Sequence, residues 1–285
     1  MSRHADVVGR YVYLEIDGEE YRVYYEESGQ GIPMICQHTA GTDGRLWRHL
    51  LEDPEVTENY RLLAVDLPYH GKSLPPVTAR WWEEEYKLTQ DFFMKFILAF
   101  SKALDLDRPV YLGCSMGGHL AADLALHHAE SFRAVIGCEA ALHGHGPDGV
   151  LPYYHHPRIG NDFVPAAMYS LCAPNSPEQS KRETIWVYSQ CVPVVFKGDL
   201  HFYVVDHDLQ ETAKDIDTSE VAVYILSGEY DWSATPEDSK ALADEIPGSQ
   251  FVFMEDLGHF PMSENYPAFK PYLLPVLDDI RTRLN

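Results

Sequence analysis

Residues 108–120 read R-P-V-Y-L-G-C-S-M-G-G-H-L, and this stretch carries the clearest prediction of the fold. Residues 109–112 form a short apolar run of the kind that favours a buried strand, whereas residues 119–128 place their leucines at helical spacing. The glycines lie where the strand gives way to the helix. The stretch therefore predicts a strand, a sharp turn and a helix, with Ser115 at the apex of the turn.

The string G-C-S-M-G within this stretch fits the G-x-S-x-G pattern of a nucleophilic serine on a strand-to-helix turn. Gly113 and Gly117 leave room for the strained backbone that such a turn imposes on the serine. The hydroxyl group is then presented at a helix start, where backbone N–H groups and the helix dipole favour a developing negative charge. The pattern predicts Ser115 as a nucleophile.

Composition and charge narrow the classes of function. A length of 285 residues suits one α/β domain with an insertion. The chain has 22 Lys and Arg against 44 Asp and Glu, a formal net charge of −22, which argues against binding to nucleic acid or an anionic membrane. Five cysteines form no C-x-x-C pair, and no secretion signal or membrane span is recognisable. We expect a cytoplasmic protein with reduced cysteines, no metal and no cofactor.

Strand-like and helix-like segments alternate along most of the chain, which predicts a mostly parallel central sheet flanked by helices, an α/β fold. A hairpin is predicted around Asp17-Gly18, and a long amphipathic helix from about residue 82 to residue 104. The regular pattern stops at residues 141–216, where glycine, proline, histidine and aromatic residues are scattered. We expect residues 1–140 and 217–285 to form the core, with residues 141–216 as an inserted helical cap over the site.

A serine nucleophile needs a base that takes its proton and a carboxylate that orients the base. His259 is the predicted base because it follows a late strand, lies in a loop and comes after Ser115 in the chain. Two acids precede it and remain candidates for the orienting carboxylate. Asp231 ends S-G-E-Y-D after a predicted strand, and Glu139 ends the strand that follows the helix after Ser115. We prefer Asp231, with Glu139 as the alternative.

Attack on a carbonyl group produces an oxyanion that needs preorganised N–H donors. One donor is expected to be the amide of Met116, the residue after the nucleophile. The second is expected in the loop after the early strand at residues 33–37, from the amide of Ala40 or, as second choice, Thr39.

Five motifs taken together resemble the α/β-hydrolase superfamily over nearly the whole chain: G-C-S-M-G-G, H-T-A-G, D-L-P-Y-H-G-K-S, S-G-E-Y-D and L-G-H-F-P-M-S-E-N. The resemblance implies the α/β-hydrolase fold, with a variable cap. Similar members include carboxylesterases, lactone hydrolases and carbon–carbon bond hydrolases, whereas dehalogenases and epoxide hydrolases use an aspartate where this chain has Ser115. Zearalenone-type lactone hydrolases carry their acid where this chain has Glu139. The chain departs from the family in having Thr39 where glycine is usual and in placing Pro236 one residue late.

The function expected from these features is that of a serine hydrolase, cleaving a carboxylic ester or lactone of a bulky apolar or aromatic small molecule through an acyl-enzyme. The alternatives are a carbon–carbon bond hydrolase acting on a diketone and a slow-turnover ligand-binding receptor on the same scaffold. Exchange of the cap is expected to change substrate preference but to leave p-nitrophenyl acetate hydrolysis intact. A homodimer is left open. The residues expected to bind substrate are His38, Tyr153, Tyr154, Met168, Trp186 and Trp232.

Overall fold

The computed structural model describes residues 4–144, 154–155 and 162–283. These residues contain one eight-stranded sheet. Its strands are β1 (Val8–Ile16), β2 (Glu19–Gly29), β3 (Ile32–Gln37), β4 (Tyr60–Val65), β5 (Val110–Cys114), β6 (Ala134–Cys138), β7 (Ala222–Gly228) and β8 (Gln250–Met254). Their spatial order is β1-β2-β4-β3-β5-β6-β7-β8. Strand β2 pairs antiparallel with β1 and β4, and the remaining neighbours are parallel, so the predicted mostly parallel sheet is confirmed.

The central strands are buried on both faces, which explains why they read as continuous apolar runs. Every residue of β5, β6 and β7 is buried. Successive side chains enter different halves of the core: Met34 and Cys36 pack on one face, and Ile35 packs on the other. Because these strands are parallel, their C-terminal ends meet at one edge of the sheet, where side chains from several loops converge.

Helices cover both faces of this sheet. They are α1 (Arg48–Leu51), α2 (Pro54–Thr57), α3 (Gln90–Ala103), α4 (Met116–His127), α5 (Phe163–Tyr169), α6 (Glu178–Tyr188), α7 (Pro193–His201), α8 (Pro236–Glu245), α9 (Pro261–Glu264) and α10 (Tyr266–Thr282). None of the helices in the described ranges is long and apolar enough to cross a membrane.

Two local predictions have different outcomes. The hairpin between β1 and β2 is confirmed, since Asp17 (φ 53°) and Gly18 (φ 84°) both adopt the left-handed backbone that a tight turn of this kind needs. The helix predicted from residue 82 is wrong in its start, because α3 begins at Gln90. The Thr89 hydroxyl accepts a hydrogen bond from the Phe92 amide and caps the helix there.

The segment between β6 and β7, residues 141–216, is called the cap segment below. Its described residues form α5, α6 and α7, followed by one π-helical turn at Phe202–Asp206, and contain no strand. An isolated bridge joins His143 to Asp208. That the cap segment behaves as a separate subdomain stays a prediction.

Candidate active site

Ser115 occupies the turn between β5 and α4 with a left-handed backbone, φ 57° and ψ −120°. Its amide donates to the carbonyl of Cys138 at 2.9 Å, which fastens the turn to β6. A side-chain carbon on Gly113 would meet the carbonyl oxygen of Gly117 at 2.1 Å, and one on Gly118 would meet that of Cys138 at 2.1 Å. The turn therefore requires glycine at both positions, and the predicted strand, turn and helix are confirmed.

His259 and Asp231 are in direct contact beside this turn. His259 Nδ1 lies 2.7 Å from Asp231 Oδ2, and both side chains are buried. Asp231 Oδ1 accepts from the Ser233 amide at 2.7 Å, which fixes the carboxylate. The carboxylate favours a proton on Nδ1, so Nε2 is left as the basic nitrogen. Within the described residues, no hydrogen bond joins His259 to Ser115, and such catalytic bonds often tighten only on substrate binding.

Glu139, the alternative acid, lies directly after β6 and is fully buried. Both of its carboxyl oxygens accept from the Gly228 amide at 3.0 Å. Burial raises the pKa of Glu139 well above its ordinary value, and the charge of Asp231 and a hydrogen bond with it raise that pKa further. The shift favours the protonated form of Glu139, and in the described part of the chain the group makes no hydrogen bond to His259.

A cavity of about 440 Å³ is lined by both Ser115 and His259. Ala40 and Met116, the predicted oxyanion donors, line the same cavity. Met116 is the first residue of α4, and the amides of a first helical turn have no partner within the helix. The Ala40 amide likewise donates to no group among the described residues. Both amides are thus available beside the serine.

The rest of the cavity wall is largely apolar. Its described members are Tyr154, Met168, Leu171, Tyr188, Phe196, Leu200, Tyr203, Val204 and Trp232, with Ser233, Thr235 and Asp238 as the polar ones. All but Trp232 and these three polar residues belong to the cap segment. The described lining contains no lysine or arginine. An apolar wall of this size with few polar groups suits a neutral small molecule.

Comparison with known proteins gives the same fold that the sequence motifs imply. A family model described as the alpha/beta hydrolase fold matches residues 32–157. A thermophilic esterase from Thermogutta terrifontis superposes with a TM-score of 0.82 over 95% of this chain and 99% of its own, at 20% identity. The chain has the α/β-hydrolase fold.

Other proteins similar to this chain carry the names of different activities. The enol-lactonase from Burkholderia xenovorans LB400 superposes with a TM-score of 0.80 over 94% of this chain and 100% of its own, at 21% identity. A 2-hydroxy-6-oxononadienedioate/2-hydroxy-6-oxononatrienedioate hydrolase from Cupriavidus pinatubonensis is 30% identical over 53% of this chain. That match spans about half of the relative, 49% of its length. The structural likenesses, at such low identity, establish the fold alone.

Three of the predicted substrate-binding residues line the cavity, namely Tyr154, Met168 and Trp232. Trp186 does not, because its position on α6 leaves it 67% exposed at the surface. Tyr153 lies outside the described residues.

His38 is not brought to the cavity either. Its side chain is fully buried, its Nδ1 donates to the Thr39 carbonyl at 2.8 Å, and its Nε2 accepts from the Leu67 amide at 3.2 Å. Burial lowers the pKa of His38 to about 4, so the ring is neutral. Thr39, the second-choice oxyanion donor, does not line the cavity, and its hydroxyl contacts the hydroxyl of Tyr188 at 2.6 Å.

Sequence reasoning missed two buried His–Asp pairs in this chain. One joins His207 of the cap segment to Asp123 of α4, with Nδ1 2.8 Å from the carboxylate and Nε2 2.9 Å from the Ala141 carbonyl. Since both partners are acceptors, the ring carries a proton on each nitrogen. The other pair joins Asp199 to His70. The sequence signal for this second pair is an acid, Asp199, within the mainly apolar stretch P-V-V-F-K-G-D-L-H at residues 193–201.

Proposed function

We propose that this chain is a serine hydrolase that cleaves a carboxylic ester or lactone of a neutral, bulky apolar small molecule through an acyl-enzyme. One observation carries the proposal. The serine, the histidine and two residues with available amides, Ala40 and Met116, line a single apolar cavity. A nucleophile, a base and oxyanion donors around one space are the groups that acyl transfer needs.

In the proposed mechanism, Ser115 Oγ attacks the carbonyl carbon while His259 Nε2 takes the hydroxyl proton. The carbonyl oxygen becomes negative and accepts hydrogen bonds from the two amides. The carbon–oxygen bond then breaks, and the imidazolium gives its proton to the leaving oxygen. Water repeats both steps on the acyl-enzyme and frees the acid and Ser115. Asp231 holds the imidazole and stabilises its charged form throughout.

Carbon–carbon bond hydrolysis is the second candidate, because the relative from Cupriavidus pinatubonensis carries the name of such a substrate. A dioate has two carboxylates, which proteins usually bind with arginine or lysine. The described cavity lining has Asp238 and no such cation. The charge of the lining therefore favours a neutral ester or lactone over this candidate.

A substrate panel tests the proposal. Purified protein is assayed with p-nitrophenyl esters of increasing acyl length, aryl lactones and a vinylogous diketone dioate. We expect sustained turnover of esters or lactones, and its loss in Ser115→Ala with an unchanged circular dichroism spectrum. Preferred cleavage of the diketone would support the second candidate. A single burst of product followed by negligible turnover would instead support the ligand-binding receptor.

A further inference from the structure

A carboxylate of the cap segment reaches into the core and contacts the residue that follows Ala40. Asp199, on α7, is fully buried. Its Oδ2 accepts from the Gly41 amide at 2.6 Å and lies 2.8 Å from His70 Nε2, and its Oδ1 accepts from the Tyr86 hydroxyl at 3.0 Å. All three partners precede β5, so one cap residue ties together three separate parts of the core.

The contact between Asp199 and His70 joins two charged groups. The other ring nitrogen of His70, Nδ1, lies 2.9 Å from the Pro68 carbonyl, which can only accept. His70 must therefore donate from both nitrogens, and it faces Asp199 as an imidazolium. Burial by itself would lower the pKa of His70, but the charge and hydrogen bond of Asp199 raise that pKa above its ordinary value. Hydrogen bonds to an ionised acceptor are short and strong, so the Gly41 amide is firmly held.

The oxyanion loop, residues 38–42, packs directly against the cap segment. Gly41 has a left-handed backbone, φ 67°, and a side-chain carbon there would meet Phe196 Cδ2 at 2.4 Å and Cys191 Sγ at 2.8 Å. On the other side of Ala40, the Thr39 hydroxyl contacts that of Tyr188. The cap segment therefore contacts this loop immediately before and immediately after Ala40.

The peptide group between Thr39 and Ala40 is held from its carbonyl side. The Thr39 carbonyl accepts from His38 Nδ1 and from the Thr42 hydroxyl, each at 2.8 Å. In a trans peptide the N–H points away from the preceding carbonyl, so these bonds orient the Ala40 amide. The next peptide group is fixed by the bond from Gly41 to Asp199. Ala40 therefore sits between two anchored peptide groups, one of which depends on the cap segment.

We propose that Asp199 is a positioning residue for catalysis, holding the oxyanion loop so that the Ala40 amide faces the developing oxyanion. This inference rests on the proposed function, in which that amide is a donor. It gives the cap segment a part in the chemistry in addition to its part in substrate binding. An exchanged cap that lacks an equivalent carboxylate is then expected to impair even p-nitrophenyl acetate hydrolysis, contrary to the expectation from the sequence.

The first test is kinetic, with p-nitrophenyl acetate as a small substrate. Loss of an oxyanion donor costs about 100- to 1,000-fold in kcat, and a displaced donor costs less. We expect Asp199→Ala to lower kcat by about 10- to 100-fold, with KM changed by less than about threefold. Asp199→Asn keeps a neutral oxygen acceptor and should fall between the wild type and the alanine variant.

The matched control is Tyr86→Phe, which removes the bond to Oδ1 of the same carboxylate and leaves the Oδ2 contact with Gly41 in place. We expect its kcat to stay within about threefold of wild type, since a single neutral hydrogen bond is lost. An equal fall in Tyr86→Phe and Asp199→Ala would overturn the inference, because it would indicate general loosening of the cap segment.

The second test, hydrogen exchange of the 38–44 region followed by mass spectrometry, needs no turnover. We expect faster exchange in both Asp199 variants and unchanged exchange in Tyr86→Phe. Wild-type kcat in a folded Asp199→Ala protein overturns the inference. If that variant does not fold, unchanged kcat and exchange in Asp199→Asn overturn it. If the wild type cleaves no ester or lactone, the catalytic role falls with the proposed function, while exchange still decides whether Asp199 holds the loop.

Discussion

At the scale of single residues, the two carboxyl groups of Asp231 and Glu139 illustrate how environment separates chemically similar side chains. Asp231 contacts His259, whereas Glu139 is fully buried and its pKa is raised by burial and by Asp231, which favours its protonated form. A protonated carboxyl group resembles an amide in shape and charge. A glutamine is therefore a close substitute for Glu139, while an asparagine at position 231 removes the charge that the imidazolium needs.

We expect Asp231→Asn to lower kcat by about 10,000-fold, by analogy with the aspartate of serine proteases. Glu139→Gln should lower it by less than about tenfold, because glutamine keeps the shape of the side chain and is neutral, the state that burial favours at this position. Both variants are compared in one steady-state assay with the best ester of the panel, with circular dichroism as a control for folding. A crippled glutamine variant beside a nearly normal asparagine variant would contradict this assignment and make Glu139 the orienting acid.

The residues predicted from the sequence are those whose neighbours along the chain identify them. Ser115 is marked by its flanking glycines, and His259 and Asp231 by their place after predicted strands. Asp199 and His70 are 129 residues apart, and only their contact in the folded chain indicates a role for them. One histidine among 14 offers no local sign that it carries two protons in a buried pair. That Ser115, His259 and Asp231 come together could therefore be predicted, whereas the contact of Asp199 with His70 and Gly41 could not.

At the scale of elements, the strands were predictable because burial on both faces forces a continuous apolar run. The start of α3 was not predictable from periodicity. Residues before Gln90 look amphipathic, but the Leu88 amide donates to the carbonyl of Gly198 in α7 at 3.0 Å. Asp206 of the cap segment also accepts from the Gln90 amide at 3.0 Å. This stretch anchors the cap segment, and such long-range contacts override local helical pattern.

The π-helical turn at Phe202–Asp206 offers a matched pair of adjacent valines. Val204 lines the cavity, whereas Val205 is 62% exposed at the surface. Removing methyl groups from the wall enlarges the cavity and favours bulkier acyl groups, and pocket contacts of this size discriminate by about 10- to 200-fold at most. We expect Val204→Ala to raise the ratio of kcat/KM for long over short p-nitrophenyl esters by about three- to tenfold.

The control for this prediction is Val205→Ala, which removes the same atoms outside the cavity and should leave the ratio within about twofold of wild type. Equal ratios for both variants would show that the described wall does not select the acyl group.

At the scale of the whole molecule, several buried groups hold protons more tightly than they would in an unfolded chain. The Asp123 carboxylate outweighs burial and raises the pKa of His207, as Asp199 does for that of His70. Burial, followed by the charge of Asp43, raises the pKa of Asp66 to about 7. Burial and Asp231 raise that of Glu139. Because these groups bind more protons in the folded state than in the unfolded state, they make the free energy of unfolding fall as pH rises.

We therefore expect the free energy of unfolding to fall from pH 7 to pH 9, above the range in which the lowered pKa of buried His38 and His119 makes stability rise with pH. The contribution of each histidine pair is fully present below about pH 6.5, the unfolded value, and is lost as pH rises through the raised folded pKa. The formal charge of −22 adds repulsion in the same direction. Urea unfolding at several pH values measures this directly.

His207→Gln should show a shallower fall over the same range, since the glutamine cannot pair as a cation with Asp123. Stability that increased from pH 7 to pH 9 in the wild type would contradict the buried imidazolium pairs.

The two His–Asp pairs have a consequence for how such a chain can evolve. Each pair takes one partner from the cap segment and one from the core. The cap segment supplies the acid in one pair and the histidine in the other: Asp199 contacts a core histidine, and His207 contacts a core aspartate. A cap acquired by recombination from another lineage would bring only half of each pair and leave a buried charge without its counterpart. The two parts are therefore constrained to diverge together, and new substrate ranges are more accessible through drift at lining positions such as Val204 than through exchange of the cap as a module.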